Sequence, residues 1–232
     1  MKAMLLRVGI DKGAGGALGP IFKDGTFEYI PIPENPYNSN TDSTYSNTQG
    51  RNENFLSEFV PKGLKDESMH FDPEFKTFTY GDPTRKSSSL RKLNKNDLLI
   101  FYAGLKPFEN KRYEEGLYII GYFTVKEVLD FDKMTEDEVL ECQNSCHNNA
   151  HIKRKESTEN LIIVKGFKNK SKLLDKAIKI SVKGEDSIGR TLHVLSPKME
   201  NITALSGSIQ RSTPRWIEEE KNILKLQKLL GL

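Results

Sequence analysis

His70-Phe71-Asp72-Pro73 is the tetrapeptide with the clearest chemical content in the chain. In an extended segment residues two apart point to the same side, so His70 and Asp72 share a face. An imidazole beside a carboxylate works as a general base, ligates a metal, or makes a plain hydrogen-bonded pair. Spacing alone leaves all three open and favours the last. A second concentration of reactive groups is Glu141–His151, ECQNSCHNNAH, which holds Cys142, Cys146, His147 and His151. Such soft ligands invite a zinc reading. Helix geometry opposes it, because Cys142 and Cys146 share a face while His147 is turned about 100° away from Cys146. No metal site and no cofactor are expected from this cluster.

Two further stretches suit anions. RVGIDKGAGGALGPIFKDG carries Gly9, Gly13, Gly15, Gly16 and Gly19, a backbone that can approach a ligand closely or form a nest of N–H groups. It is not a dinucleotide loop, since Gly19-Pro20 stops a helix where one must start and no Gly-Lys-Ser/Thr follows. A Gly-rich crossing between strands accounts for the glycines equally well. Arg85 and Arg91 bracket RKSSSLR, a basic, hydroxyl-rich stretch suited to phosphate or to an ordinary solvated loop. Arg211 and Arg215 lie in LSGSIQRSTPR, just before the last helical pattern. With Thr213 as cap and Pro214 in the first turn, they would sit at its positive end and could hold a phosphate.

These groups need a scaffold, and its centre is Asp97–Val125. Leu98–Ala103 and Leu117–Val125 are apolar, β-prone runs joined by a charged loop with Pro107 and Asn110 as turn residues. Both read as strands buried on both faces or curled into a small barrel. Ala3–Val8 is a first strand, and Asp24-Gly25 turns the chain into another at Thr26–Ile32. Thr135 and Glu138 form a capping box for a helix running to about Asn148. Leu161–Val164 is a short strand and Ser171–Lys179 a basic helix. Ile180–Lys183 pairs with Thr191–Leu195. A final helix over 213–230 places Trp216, Ile223, Leu226 and Leu230 on one stripe, for the domain or for a partner. Asn35–Asn54, poor in apolar residues, reads as a flexible loop.

The chain's 232 residues fit one domain, and about 70% of the extended surface can be buried at that size. The net charge of +3 is too small to argue for nucleic acid by itself. It is unevenly spread: Glu127–Glu141 holds seven acids against Lys133, and Ile152–Lys183 holds ten bases and three acids. A basic block can neutralise phosphates, although a solvated face explains it as well. Two cysteines four residues apart suit a reducing compartment. No apolar run approaches the ~20 residues of a membrane span. The expectation is a soluble, cytoplasmic protein.

The opening stretch also carries a resemblance. Arg7, Gly9, Asp11, Gly15-Gly16, Pro20-Ile21, Asp24-Gly25 and Pro31–Glu34 follow the pattern of the nucleotide-modification-associated domain family, the third of its numbered set. His70-Phe71-Asp72-Pro73 is similar to that family's His-x-Asp-Pro element, and His151 to an Asn-x-His element. The central strand pair agrees too, departing at Asn96 and at Tyr102-Ala103. That pair also resembles, at the level of fold, the strands of EVE, ASCH and YTH domains. The implied fold is α+β, a mostly antiparallel sheet curled as a PUA-like β-barrel with flanking helices and a C-terminal helix.

The resemblance implies a nucleic-acid or nucleotide partner and two competing activities. In the first, a pocket lined by Arg7, Asp11, Gly15, Gly16, His70, Asp72 and His151 reads a modified or flipped base while Tyr102 stacks on it. In the second, an enzyme acts on the nucleotide with His70 as general base and Asp72 orienting it. A non-catalytic interaction protein is a third reading, with the last helix as a dimer seam.

Overall fold

The structure, a computed structural model, describes residues 1–34, 42–154, 157–210 and 213–232. In chain order the strands are β1 (Ala3–Arg7), β2 (Gly19–Ile21), β3 (Ile32–Pro33), β4 (Met69–His70), β5 (Thr79–Asp82), β6 (Leu98–Pro107) and β7 (Gly116–Asp130). They continue as β8 (Ile162–Gly166), β9 (Lys172–Lys179), β10 (Ser181–Glu185), β11 (Thr191–Leu195) and β12 (Arg215–Ile217). The helices are α1 (Ser87–Leu90), α2 (Glu136–Ser145), α3 (Ala150–Lys153), α4 (Pro197–Thr203) and α5 (Glu220–Leu230).

The two apolar runs form the antiparallel pair β6–β7, longer at each strand than the sequence pattern marks. Leu98–Leu105 and Gly116–Val125 are buried throughout, as continuous apolar runs require. Around them lies an eight-stranded sheet ordered β12-β1-β6-β7-β8-β5, with β2 added to β6 and β9 to β7. Only β1 and β2 run parallel to β6. Irregularities at Phe101/Tyr102 and Val125/Glu127 bend the long strands, so the last part of β7 leaves β6 and pairs with β8. Phe101 packs edge-on against Phe123 at 4.7 Å and Phe75 at 5.9 Å, contacts worth about 0.5–1.5 kcal/mol each beyond simple burial. The fold is α+β, but the sheet does not close into a barrel.

Several expectations are corrected. Lys172–Lys179 is a strand, because the free edge of β7 offers a ladder and lysine-rich strands suit exposed edges. The region 26–32 is mostly irregular: Ile21 and Phe27 share a single bridge, and the regular pairing is Ile32 with His70. Residues 42–54 are ordered, with Tyr45 fully buried and its hydroxyl donating to the Pro31 carbonyl at 2.9 Å. The rest of that loop, 35–41, lies outside the described residues. Thr213 and Pro214 precede β12, which covers the outer edge of β1, and α5 starts only at Glu220. Trp216 is therefore a strand residue. Ile223, Leu226 and Leu230 do form the buried stripe of α5, and it packs into the domain core rather than standing ready for a partner. The capping box Thr135/Glu138 and the β10–β11 hairpin are as expected. Among the described residues no helix is long and apolar enough to cross a membrane.

Candidate functional site

Segments far apart in sequence converge beside the end of β1. Glu34 follows β3, and His70 ends the antiparallel partner β4. Asp72 lies just beyond, its backbone carbonyl accepting the buried Tyr29 hydroxyl at 2.7 Å. β5 contributes Tyr80, Gly81 and Asp82, and α3 contributes His151. The last is placed by its own cap: Asn149 Oδ1 accepts the His151 N–H at 3.0 Å. The amide of the same Asn149 reaches Asp72 Oδ1 at 3.4 Å and Thr79 Oγ1 at 3.3 Å. Asp72 Oδ1 also accepts the Gly81 N–H at 3.0 Å. Gly81 has to be glycine here, since a Cβ would stand 2.8 Å from His151 Cδ2 and 3.1 Å from Asn149 Oδ1.

His70 is held by Glu34, with Nδ1 2.8 Å from Oε2. A carboxylate only accepts, so Nδ1 carries the hydrogen, and in the neutral ring Nε2 then holds the lone pair. Arg154 grips the same carboxylate through Nε at 2.9 Å and Nη2 at 2.5 Å. Asp72 is not the orienting partner: its Oδ2 is 4.0 Å from His70 Nε2, too far for a hydrogen bond. It stands instead between two imidazoles, with His151 Nε2 at 3.5 Å. The rings of His70 and His151 meet edge-on, 4.7 Å between centroids. Among the described residues His70, Asp72 and His151 form a group whose ligating atoms all lie within 4.8 Å of one another.

This cluster lines a cavity of about 380 Å³. Arg7 and Asp11 line one wall and are paired at 3.0 Å. Asp82 and Lys86 line another, 3.7 Å apart. Tyr80 stands behind them, its hydroxyl donating to Asp82 at 3.3 Å, and burial together with Asp82 and Asp72 pushes its pKa well up. Each cation of the wall thus faces a carboxylate. A ligand rich in both donors and acceptors suits such a lining better than a bare polyanion.

Of the residues singled out in the sequence, Arg7, Asp11, His70, Asp72 and His151 line this one cavity. Gly15 and Gly16 do not line the cavity. The Asp11 carboxylate accepts the N–H groups of Gly13 and Ala14, both at 2.7 Å, so the loop fills its nest with its own side chain. Gly15 (φ +93°) lets the loop close over Ile10, where a Cβ would clash at 2.6 Å. Tyr102 is no stacking platform: it is fully buried, its hydroxyl donates to the Ile209 carbonyl at 3.1 Å, and burial raises its pKa to about 12. Arg91 ties α1 to Asp130 and Asp132, and Arg85 is an exposed residue outside the cavity lining. Arg215 donates to the carbonyls of Ser206 and Ser208, both at 3.1 Å, away from any helix start. Arg211 lies outside the described residues.

The reactive cluster near α2 disperses. Cys146 is buried with Leu129, Phe131, Leu161 and Ile163, whereas His147 faces solvent with Nδ1 3.1 Å from the Asn144 carbonyl. Sequence reasoning passed over Glu34, Asn149, Arg154, Asp82 and Lys86. Glu34 closes the Pro-Ile-Pro-acid motif and Asn149 opens Asn-x-His, so both carried a signal. The other three carried none.

A family model described as nucleotide modification associated domain 3 matches residues 2–228. No curated protein and no solved structure matches the chain.

Proposed function

The chain belongs to the nucleotide modification associated domain 3 family, and from that premise we propose that the cavity beside β1, β5 and α3 takes a nucleotide and acts on it. One observation carries this reading. Side chains from opposite ends of a long chain segment, His70, Asp72 and His151, converge in the lining of a cavity large enough for a single nucleotide unit. Residues that serve only packing have no reason to gather titratable groups there. A ligand hydroxyl, amine or water brought to Nε2 of the neutral His70 ring would meet a lone pair that can take its proton, with Asp72 Oδ2 4.0 Å away. Glu34 and Arg154 fix the ring for that task. Arg7 and Asp11 on one side, with Asp82 and Lys86 on the other, would read the donors and acceptors of the nucleotide.

A base reader is the weaker alternative, because the aromatic residue expected to stack, Tyr102, is inside the core. The test is to incubate the protein with nucleosides, nucleotides and short oligonucleotides and to follow their mass. The wild type converts one of them, and His70→Ala binds it within a few-fold while converting none. Binding by the wild type without conversion, lost in His70→Ala, would replace the enzyme by a reader.

A further inference from the structure

The arrangement of His70, Asp72 and His151 reaches beyond proton transfer. We infer that these residues form a site for a divalent first-row transition cation, with its remaining coordination positions open to the cavity. The inference shares the site proposed above and rests on that reading for what the open positions would meet.

The donor set is two imidazoles and one carboxylate, a combination that holds such cations while leaving positions free for substrate. The donor atoms face one another: Asp72 Oδ2 is 3.5 Å from His151 Nε2 and 4.0 Å from His70 Nε2. With metal–ligand bonds of about 2.1 Å, tetrahedral donors lie roughly 3.4 Å apart. The Asp72–His151 separation already fits, and the His70 donor, 4.0 Å from Asp72 and within 4.8 Å of both other ligand atoms, would have to draw in by about 1 Å. Its surroundings already have the form such sites take. Glu34 accepts from His70 Nδ1 at 2.8 Å and leaves Nε2 for the cation. Asn149 donates to Asp72 Oδ1, and the Gly81 N–H is shared between Oδ1 at 3.0 Å and Oδ2 at 3.2 Å, which fixes the carboxylate beside both imidazoles. Outer partners of this kind fix a ligand's orientation and raise its basicity, and His70 and Asp72 have them, whereas His151 is placed through its backbone N–H on Asn149. All three ligands are largely withdrawn from solvent, Asp72 at 8% and His70 at 5% exposure. With its Nε2 lone pair given to the cation, His70 no longer serves as the base, and the cation would instead polarise, or lower the pKa of, the group or water that the open positions hold.

The experiment uses the full chain, stripped with a chelator and titrated with Zn²⁺, Mn²⁺ and Co²⁺ alone. One equivalent should bind. Bound Co²⁺ should show visible ligand-field bands without the near-ultraviolet charge transfer of a thiolate. Asp72→Asn and His151→Ala should each weaken binding at least about 100-fold, and Glu34→Gln about 10–100-fold. The double change Cys142→Ser with Cys146→Ser should leave the affinity unaltered. Melting curves of the metal-free variants establish that each is folded, and the Glu34→Gln and cysteine variants keep the test valid if one ligand variant is not. No stoichiometric binding, or binding that survives in folded Asp72→Asn, overturns the site, and so does a thiolate band lost in the cysteine variant. Nucleotide binding measured in chelator separates the two ideas. A nucleotide bound with no metal uptake removes only the cation, and metal uptake with no nucleotide removes only the reading it rests on.

Discussion

His70 turns its Nδ1 to Glu34, 36 residues earlier and 2.8 Å away, and leaves Asp72 beyond hydrogen-bond reach of its Nε2 at 4.0 Å. The adjacent acid of the His-x-Asp-Pro element is thus free to face His151 as well. Glu34, His70 and Arg154 form a buried chain of charge-assisted contacts, and the reactive atoms lie on its inner side.

Glu34→Gln keeps the volume of the side chain but removes the buried negative charge that His70 and Arg154 share. Glu34 is buried, so the loss should be about 3 kcal/mol of stability. Urea unfolding measures it, and a change under about 0.5 kcal/mol, typical of exposed pairs, would show that the contact is solvated.

Gly81→Ala should force His151 and Asn149 aside, given the 2.8 Å and 3.1 Å approaches to a Cβ. The expected cost is about 1–3 kcal/mol, with loss of ligand binding beyond what instability explains. A variant that binds normally would mean that His151 is not placed by this contact.

Tyr102→Phe removes the buried hydrogen bond to the Ile209 carbonyl and leaves the cavity lining unchanged. Stability should fall by about 1 kcal/mol while ligand affinity stays the same. Loss of affinity instead would restore the stacking role that burial denies it.

His193, at the half-buried face of the β10–β11 hairpin, has its pKa lowered from 6.5, chiefly by burial, with Arg7, Lys12 and Lys183 adding and Glu115 opposing. The unfolded chain therefore binds the proton more readily. The stability this residue allows is complete above about pH 6.5 and is lost as pH falls through that value towards the lower folded pKa. Melting temperatures between pH 8 and pH 5 should decline less in His193→Gln, and an identical decline would remove His193 as a cause.

How much of this was legible in the sequence depends on which interaction placed each residue. The β6–β7 pair was readable because continuous burial leaves a continuous apolar run, and the capping box because it is local. Lys172–Lys179 read as a helix since only the open edge of β7, far away in sequence, makes it a strand. Arg215 was misplaced for the same reason, as the outer edge of β1 claims Arg215–Ile217 before a helix can start. The site divides similarly. Arg7, Asp11, His70, Asp72 and His151 stood in motifs. Arg154 and Lys86 reach the cavity only through folding, and no spacing rule connects Arg154 to Glu34 across 120 residues.

The central claim is that the cavity at His70, Asp72 and His151 holds a nucleotide, and a thermal-shift screen meets it most directly. Nucleosides, nucleotides and modified bases are tested against the wild type and against Arg7→Gln, whose side chain also lines the cavity. A ligand at 100 times its dissociation constant adds about 2.7 kcal/mol of stability. The account predicts that at least one nucleotide raises the melting temperature of the wild type, and that Arg7→Gln needs a higher concentration for the same shift. No shift with any of them, or a shift that Arg7→Gln, Asp72→Asn and His151→Ala all leave intact, would contradict it.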